Sequence, residues 1–111
     1  MLIVPVLPSP IDIRAAAHFI AELLTSGRVL RHETDVAVVA NRVREQTLIY
    51  HSLQRFRGSL EIPFVATLRE TQNYIRAAER GIGIFEMPHW LTEHDLEQWQ
   101  PLLRWLNQPR K

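Results

Sequence analysis

TDVAVVANRVREQTL, Thr34 to Leu48, is the stretch on which the fold turns. Val36 to Ala40 is an unbroken apolar run, followed at once by Asn41 and Arg42. An unbroken run of β-branched and small residues, with no polar alternation, is the signature of a strand covered on both faces. Such strands lie in parallel sheets, where crossover helices cap either side. We therefore read Asp35 to Ala40 as a strand of a parallel sheet covered on both faces, with Asn41-Arg42 just past its carboxyl end.

Working outward, strand and helix signals alternate. LIVPV, Leu2 to Val6, is a short apolar strand. PSPIDIRAAAHFIAELLTSG follows, with Ser9 as N-cap, Pro10 preset for the first turn and Asp12 closing a capping box. Ile13, Ala16, Ala17, Ile20 and Leu24 recur at helical spacing, and Gly27 is expected to stop the helix in the left-handed region. A second helix is expected from Thr47 to Phe56, with Leu48, Ile49, Leu53 and Phe56 inward. IPFVATL is a third strand, in which Pro63 is tolerable near the start. TQNYIRAAERG is a helix capped by Thr71 and stopped by Gly81, and IGIFEM is a short extended piece or a linker. The last helix is expected to open at Thr92, with Asp95 completing a capping box and Leu91 and Leu96 forming a staple. Leu96, Trp99, Leu103 and Leu106 would face inward, with a kink at Pro101.

The order implies one domain, residues 1–111, of class α/β: a three-stranded parallel sheet with flanking helices and an extra C-terminal helix. Ligands of open α/β sheets bind beyond the carboxyl ends of the strands. That places Asn41 in a crevice, where its amide can both donate to and accept from a purine edge.

Composition removes several alternatives. The chain of 111 residues carries a net charge of +1 and no cysteine, which excludes a disulfide frame, a thiolate metal site and a cysteine nucleophile. Its five histidines are not arranged at metal-ligand spacing, so no metal site is expected. Ser9 lacks the G-x-S-x-G surroundings of a hydrolase elbow. MLIVPVLPSP is too short to span a bilayer and has neither basic flank nor cleavage site, so a cytoplasmic location, with the nucleoid as an alternative, is expected. Glu93, Asp95 and Glu97 oppose an amphipathic membrane role for the terminal helix despite Arg110 and Lys111 beyond it, and no membrane partner is expected.

LIVPVLPSPIDIRAAAHFIAELL, TDVAVVANRV and IPFVATLRETQNYIRAAERGIGIFE together resemble the C-terminal half of ParA/MinD-type partition ATPases, the deviant Walker A branch of the P-loop NTPases. The resemblance spans Leu2 to Glu86. It rests on strand–PS-x-x-D–helix, strand–NR, and P-x5-R followed by A-x2-G-x2-I-x-E. It implies half of a doubly wound nucleotide-binding domain. It further implies that Asn41 meets the adenine edge, with Arg42, Leu68 and Arg69 beside the purine, and that Ser9 and Asp12 are structural. Arg76 and Arg80 would be nonspecific DNA contacts, although Glu70 and Glu79, interleaved among Arg69, Arg76 and Arg80, also fit an ordinary solvated helix face.

The family's phosphate loop has no counterpart. None of the four glycines precedes a Lys-Ser/Thr pair, and the one lysine is Lys111. Without that loop, phosphoryl transfer has no electrostatic support, so the chain alone is expected to be catalytically inactive. ATP and Mg are expected only with a full-length protein, and nothing tightly bound to this chain. Met1 falls early in what the family has as an ordinary strand. We expect a C-terminal piece of a longer ATPase or a misassigned start, rather than a free-standing half-domain. Half a sheet leaves an open edge, which predicts a homodimer through that edge or by element exchange. A partition-complex protein and nonspecific DNA are the other expected partners. Two further functional readings remain: a fragment of an enzyme like cobyrinic acid a,c-diamide synthase, and a non-catalytic interaction module from a truncated gene.

Overall fold

The computed structural model describes residues 1–31 and 34–109. His32, Arg110 and Lys111, singled out in the sequence, lie outside the described residues. Three strands, β1 (Leu2–Val6), β2 (Val36–Val43) and β3 (Phe64–Arg69), form a parallel sheet in the order β1-β2-β3. Five helices accompany them: α1 (Pro10–Leu24), α2 (Gly27–Leu30), α3 (Leu48–Ser59), α4 (Gln72–Glu79) and α5 (His89–Leu106).

β2 is central because both of its faces are apolar. Val36, Val38, Ala40 and Val43 pack with Val4 and Val6 of β1, Ala16 and Ile20 of α1, and Leu53 and Phe56 of α3. The alternate residues Ala37 and Val39 join Ala66 and Leu68 of β3 against Leu102 and Trp105 of α5. This is the three-layer arrangement that the unbroken run predicts: successive side chains point to opposite faces, and each face has its helices. A smaller cluster, Ala77, Ile84 and Met87, joins α4 to α5 with Leu91, Leu96 and Trp99.

Several boundaries differ from the sequence expectation. α1 is capped by Ser9 as expected, with the Asp12 N–H donating to Ser9 Oγ at 3.1 Å and the Ser9 hydroxyl donating to the Asp12 carboxylate. It ends at Leu24 with a right-handed cap at Thr25, and Gly27 opens α2 instead of stopping α1. α3 begins at Leu48, whose side chain is 88% exposed and not inward. Leu53 and Phe56 are buried as expected. Thr71 caps α4, and Gly81 takes φ +69°, the left-handed turn that makes glycine necessary there. Ile84–Glu86 is a single 3-10 turn, pinned by the Gly83 N–H donating to Glu86 Oε1 at 3.1 Å.

The largest correction concerns the last helix. α5 starts at His89, three residues before the expected cap, so Thr92 and Asp95 lie inside it and both are fully buried. A capping box needs solvent-edge geometry at a helix start; here Asp95 is turned inward to meet an arginine. Pro101 sits within the helix; Trp99 and Leu106 pack toward the sheet as expected, and the buried residues there are Leu102 and Trp105 rather than Leu103.

Candidate functional site

β2 does not stop at Ala40. The register passes from Ala40 opposite Thr67 to Val43 opposite Arg69, so β2 spends one residue more than its partner across Asn41-Arg42. That extra residue is a β-bulge, a device that re-aims side chains at sheet ends. Arg42 carries the distortion at φ 57°, in the left-handed region that L side chains rarely occupy. Its N–H is taken by the Asn41 side chain, donating to Oδ1 at 2.9 Å. The polar pair after the apolar run is therefore built into the strand and turned outward. Asn41 spends one acceptor position on the Arg42 N–H and keeps its amide N–H groups to donate.

Beyond the bulge the strand resumes, with Val43 buried and its carbonyl accepting from Glu70 N–H at 3.0 Å. Arg42, in the bulge, and Arg44, just past the end of β2, flank Val43 with largely exposed side chains. Both reach Glu70: Arg42 Nη2 lies 3.4 Å from Glu70 Oε1, and Arg44 Nε pairs with Oε2. These three residues divide two clefts. One, of about 720 Å³, lies at the ends of β2 and β3, lined by Asn41, Leu68, Arg69, Tyr74, Ile75 and Trp99 among others. The second, of about 440 Å³, lies at the ends of β1 and β2 beside Pro8, Ser9, Asp12 and Thr47. Arg42, Arg44 and Glu70 line both.

Arg69 is held differently from Arg42. Its Nε donates to Asp95 Oδ1 at 2.6 Å and its Nη2 to Oδ2 at 3.2 Å. Asp95 also accepts from Asn73 Nδ2 at 2.9 Å, and the Arg69 backbone N–H donates to Gln98 Oε1 at 2.8 Å. Burial pushes the Asp95 carboxyl up, but the hydrogen bonds from Arg69 and Asn73 and the guanidinium charge outweigh it. The net effect holds the carboxyl below its usual range. The hydrogen bond to Asp95 in turn raises Arg69. Tyr74 is raised by burial, and its hydroxyl accepts from Trp99 Nε1–H at 3.0 Å, so the aromatic wall is neutral and fixed.

Of the residues expected from the sequence, Asn41, Arg42, Leu68 and Arg69 meet at one cleft. The Arg69 guanidinium faces α5, which leaves its backbone and stem at the wall. Arg76 lies on α4 and Arg80 caps it; both are exposed, and neither lines the cleft. Sequence reasoning missed Arg44, Tyr74 and Asp95. The Arg-x-Arg alternation after a strand was the available signal for Arg44. Nothing local distinguished Asp95 from a helix cap.

The magnesium–triphosphate group of the resembled family does not fit the residues here. The carboxylates at the clefts, Asp12 and Glu70, are taken up by Ser9 and by two arginines, and no glycine-rich loop precedes a lysine. Among the described residues no helix is long and apolar enough to cross a membrane.

Compared with known proteins, the chain is 28% identical over 87 residues to the maintenance of carboxysome distribution protein A of Halothiobacillus neapolitanus. The match takes in 78% of this chain and 40% of that protein, so the chain spans less than half of its relative's length. No family model matches the chain, and no solved structure does.

Proposed function

We propose that this chain is the purine-binding portion of a ParA-type positioning ATPase, serving the distribution of a cellular cargo and not catalytic by itself. The observation that carries the reading is the likeness over 87 residues to a protein named for carboxysome distribution, a positioning task. The cleft supports it physically. Asn41 offers amide donors at the carboxyl end of a central strand, beside the apolar and aromatic surface of Leu68, Tyr74, Ile75 and Trp99. A purine needs one flat apolar wall and one donor–acceptor edge. In this reading Leu68 and Arg69 contribute wall and backbone.

Magnesium and the contacts that hydrolyse the terminal phosphate come from residues of a longer protein. Base contacts alone give affinity on the order of millimolar. Arg76 and Arg80 grip DNA phosphates nonspecifically in that context, which agrees with a cytoplasmic, nucleoid-associated protein. A partition-type partner protein and self-association through the β1 edge, or by exchange of an element, complete the assembly.

Titration of the 15N-labelled chain with adenosine, followed by NMR, tests the reading. We expect saturable shifts at Asn41, Leu68 and Arg69, weakened about fivefold or more in Asn41→Ala. Saturable binding that Asn41→Ala leaves unchanged, or no shift at 10 to 20 mM, on the order of ten times the expected dissociation constant, overturns it.

A further inference from the structure

We infer that Arg42 and Arg44 form an anion clamp, autoinhibited by Glu70, that takes the phosphate of a purine nucleotide whose base occupies the 720 Å³ cleft. The inference rests on the purine reading and names a site that the reading does not contain.

The two clefts meet at Arg42, Arg44 and Glu70, so a ligand with its ring against Tyr74 and Trp99 extends its polar end across this divider. Two guanidinium groups face one carboxylate there, which leaves one positive charge uncompensated within the cluster. The arginine side chains are 66% and 72% exposed, and Glu70 33%. Ion pairs that exposed contribute little, so an incoming anion displaces Glu70 at small cost. A phosphate presents three oxygens to two guanidinium forks, a better match than a single carboxylate shared between them. The bulge is what makes the clamp. Without the extra residue at Asn41-Arg42, Arg42 and Arg44 would not be brought to the divider together with the Asn41 amide. Phosphate recognition here would use side chains, with no glycine-rich loop.

The experiment compares adenosine, AMP and inorganic phosphate on the 15N-labelled chain at low ionic strength, reading backbone amides and arginine Nε–H signals. AMP is expected to bind roughly tenfold more tightly than adenosine. Arg44→Ala should remove most of that gain, read as the ratio of AMP to adenosine affinity within the variant because Arg44 also lines the purine cleft. Glu70→Gln should widen the gain, by about threefold, because the competing charge is gone. Inorganic phosphate alone should shift Arg42, Arg44 and Glu70. If adenosine binds but AMP binds no better, or the gain survives in the Arg42→Ala/Arg44→Ala double variant, the clamp is overturned and the purine reading stands. If neither adenosine nor AMP shifts any signal, both are overturned.

Discussion

Arg42 is the one non-glycine residue with positive φ among the described residues, and it stands where the apolar strand turns polar. Holding an L side chain at φ 57° costs on the order of 1 kcal/mol, while its exposed pair with Glu70 returns less than that. Arg42→Gly should therefore stabilise the fold by about 0.5–1 kcal/mol, measured as an upward shift of the urea midpoint. Arg42→Ala should not, because alanine keeps the left-handed penalty. A destabilised glycine variant would show that the guanidinium, and not the bulge, holds this end of the sheet. Asn41 belongs to the same unit, since its carbonyl takes the N–H that the bulge frees. The type and place of both residues were legible from the sequence, because the run of buried residues ended on them. Their backbone conformation was not, because the bulge exists only relative to β3.

At the scale of elements, α5 is locked to the sheet by a buried acid. Asp95 is fully buried and meets Arg69 of β3 and Asn73 of α4, so three elements share one carboxylate. Asp95→Ala leaves the Arg69 guanidinium without its carboxylate, while Asn73 keeps its bond to the Leu91 carbonyl, and should cost about 2–4 kcal/mol. The pH dependence follows in sign. The folded carboxyl is held below its unfolded value, so the stabilisation is complete above the ordinary carboxylate pKa of about 4. It is lost as pH falls through the depressed folded value. Thermal unfolding followed between pH 7 and 2 should show this acid limb in the wild type and a flatter one in Asp95→Asn. Equal slopes in the two would remove the pair from the account. α3 offers a paired test of inward and outward leucines. Leu53→Ala should cost about 3 kcal/mol, since the side chain is wholly buried. Leu48→Ala, at 88% exposure, should change stability by less than about 0.5 kcal/mol.

On the scale of the whole molecule, β1 is a sheet edge with nothing on its far side among the described residues. The Leu2 N–H donates to Asp35 O across the pair with β2, which fixes the alternation of backbone groups: those of Val4 and Val6 also point to β2, while those of Ile3, Pro5 and Leu7 point to the open edge. Pro5 has no N–H to offer, so the edge is blunted at its centre but retains donors at Ile3 and Leu7. Beside it, Ile11, Ala15 and Phe19 make an exposed ridge on α1, with Ile11 82% accessible. An edge and a ridge of this kind associate with something. We expect a concentration-dependent dimer by sedimentation, shifted toward monomer by Leu7→Lys or Ile11→Lys. A monodisperse monomer from micromolar to millimolar concentration would count against it.

By itself, the sequence determined the α/β class, the parallel sheet, the covering of β2 on both faces and the capped starts of α1 and α4. Each of these follows from local chemistry: apolar runs covered on two faces, hydroxyl caps, and a glycine at Gly81 where φ must be positive. Tertiary structure decided the rest. It carried β2 past Asn41 as a bulge, moved the start of α5 back to His89, and turned Asp95 from an expected cap into a buried partner of Arg69. It also set Arg44 and Glu70 between two clefts. The physical reason is common to all four. Register, helix starts within apolar surroundings and ion-pair partners depend on residues some 25 to 30 positions away, which no local spacing encodes.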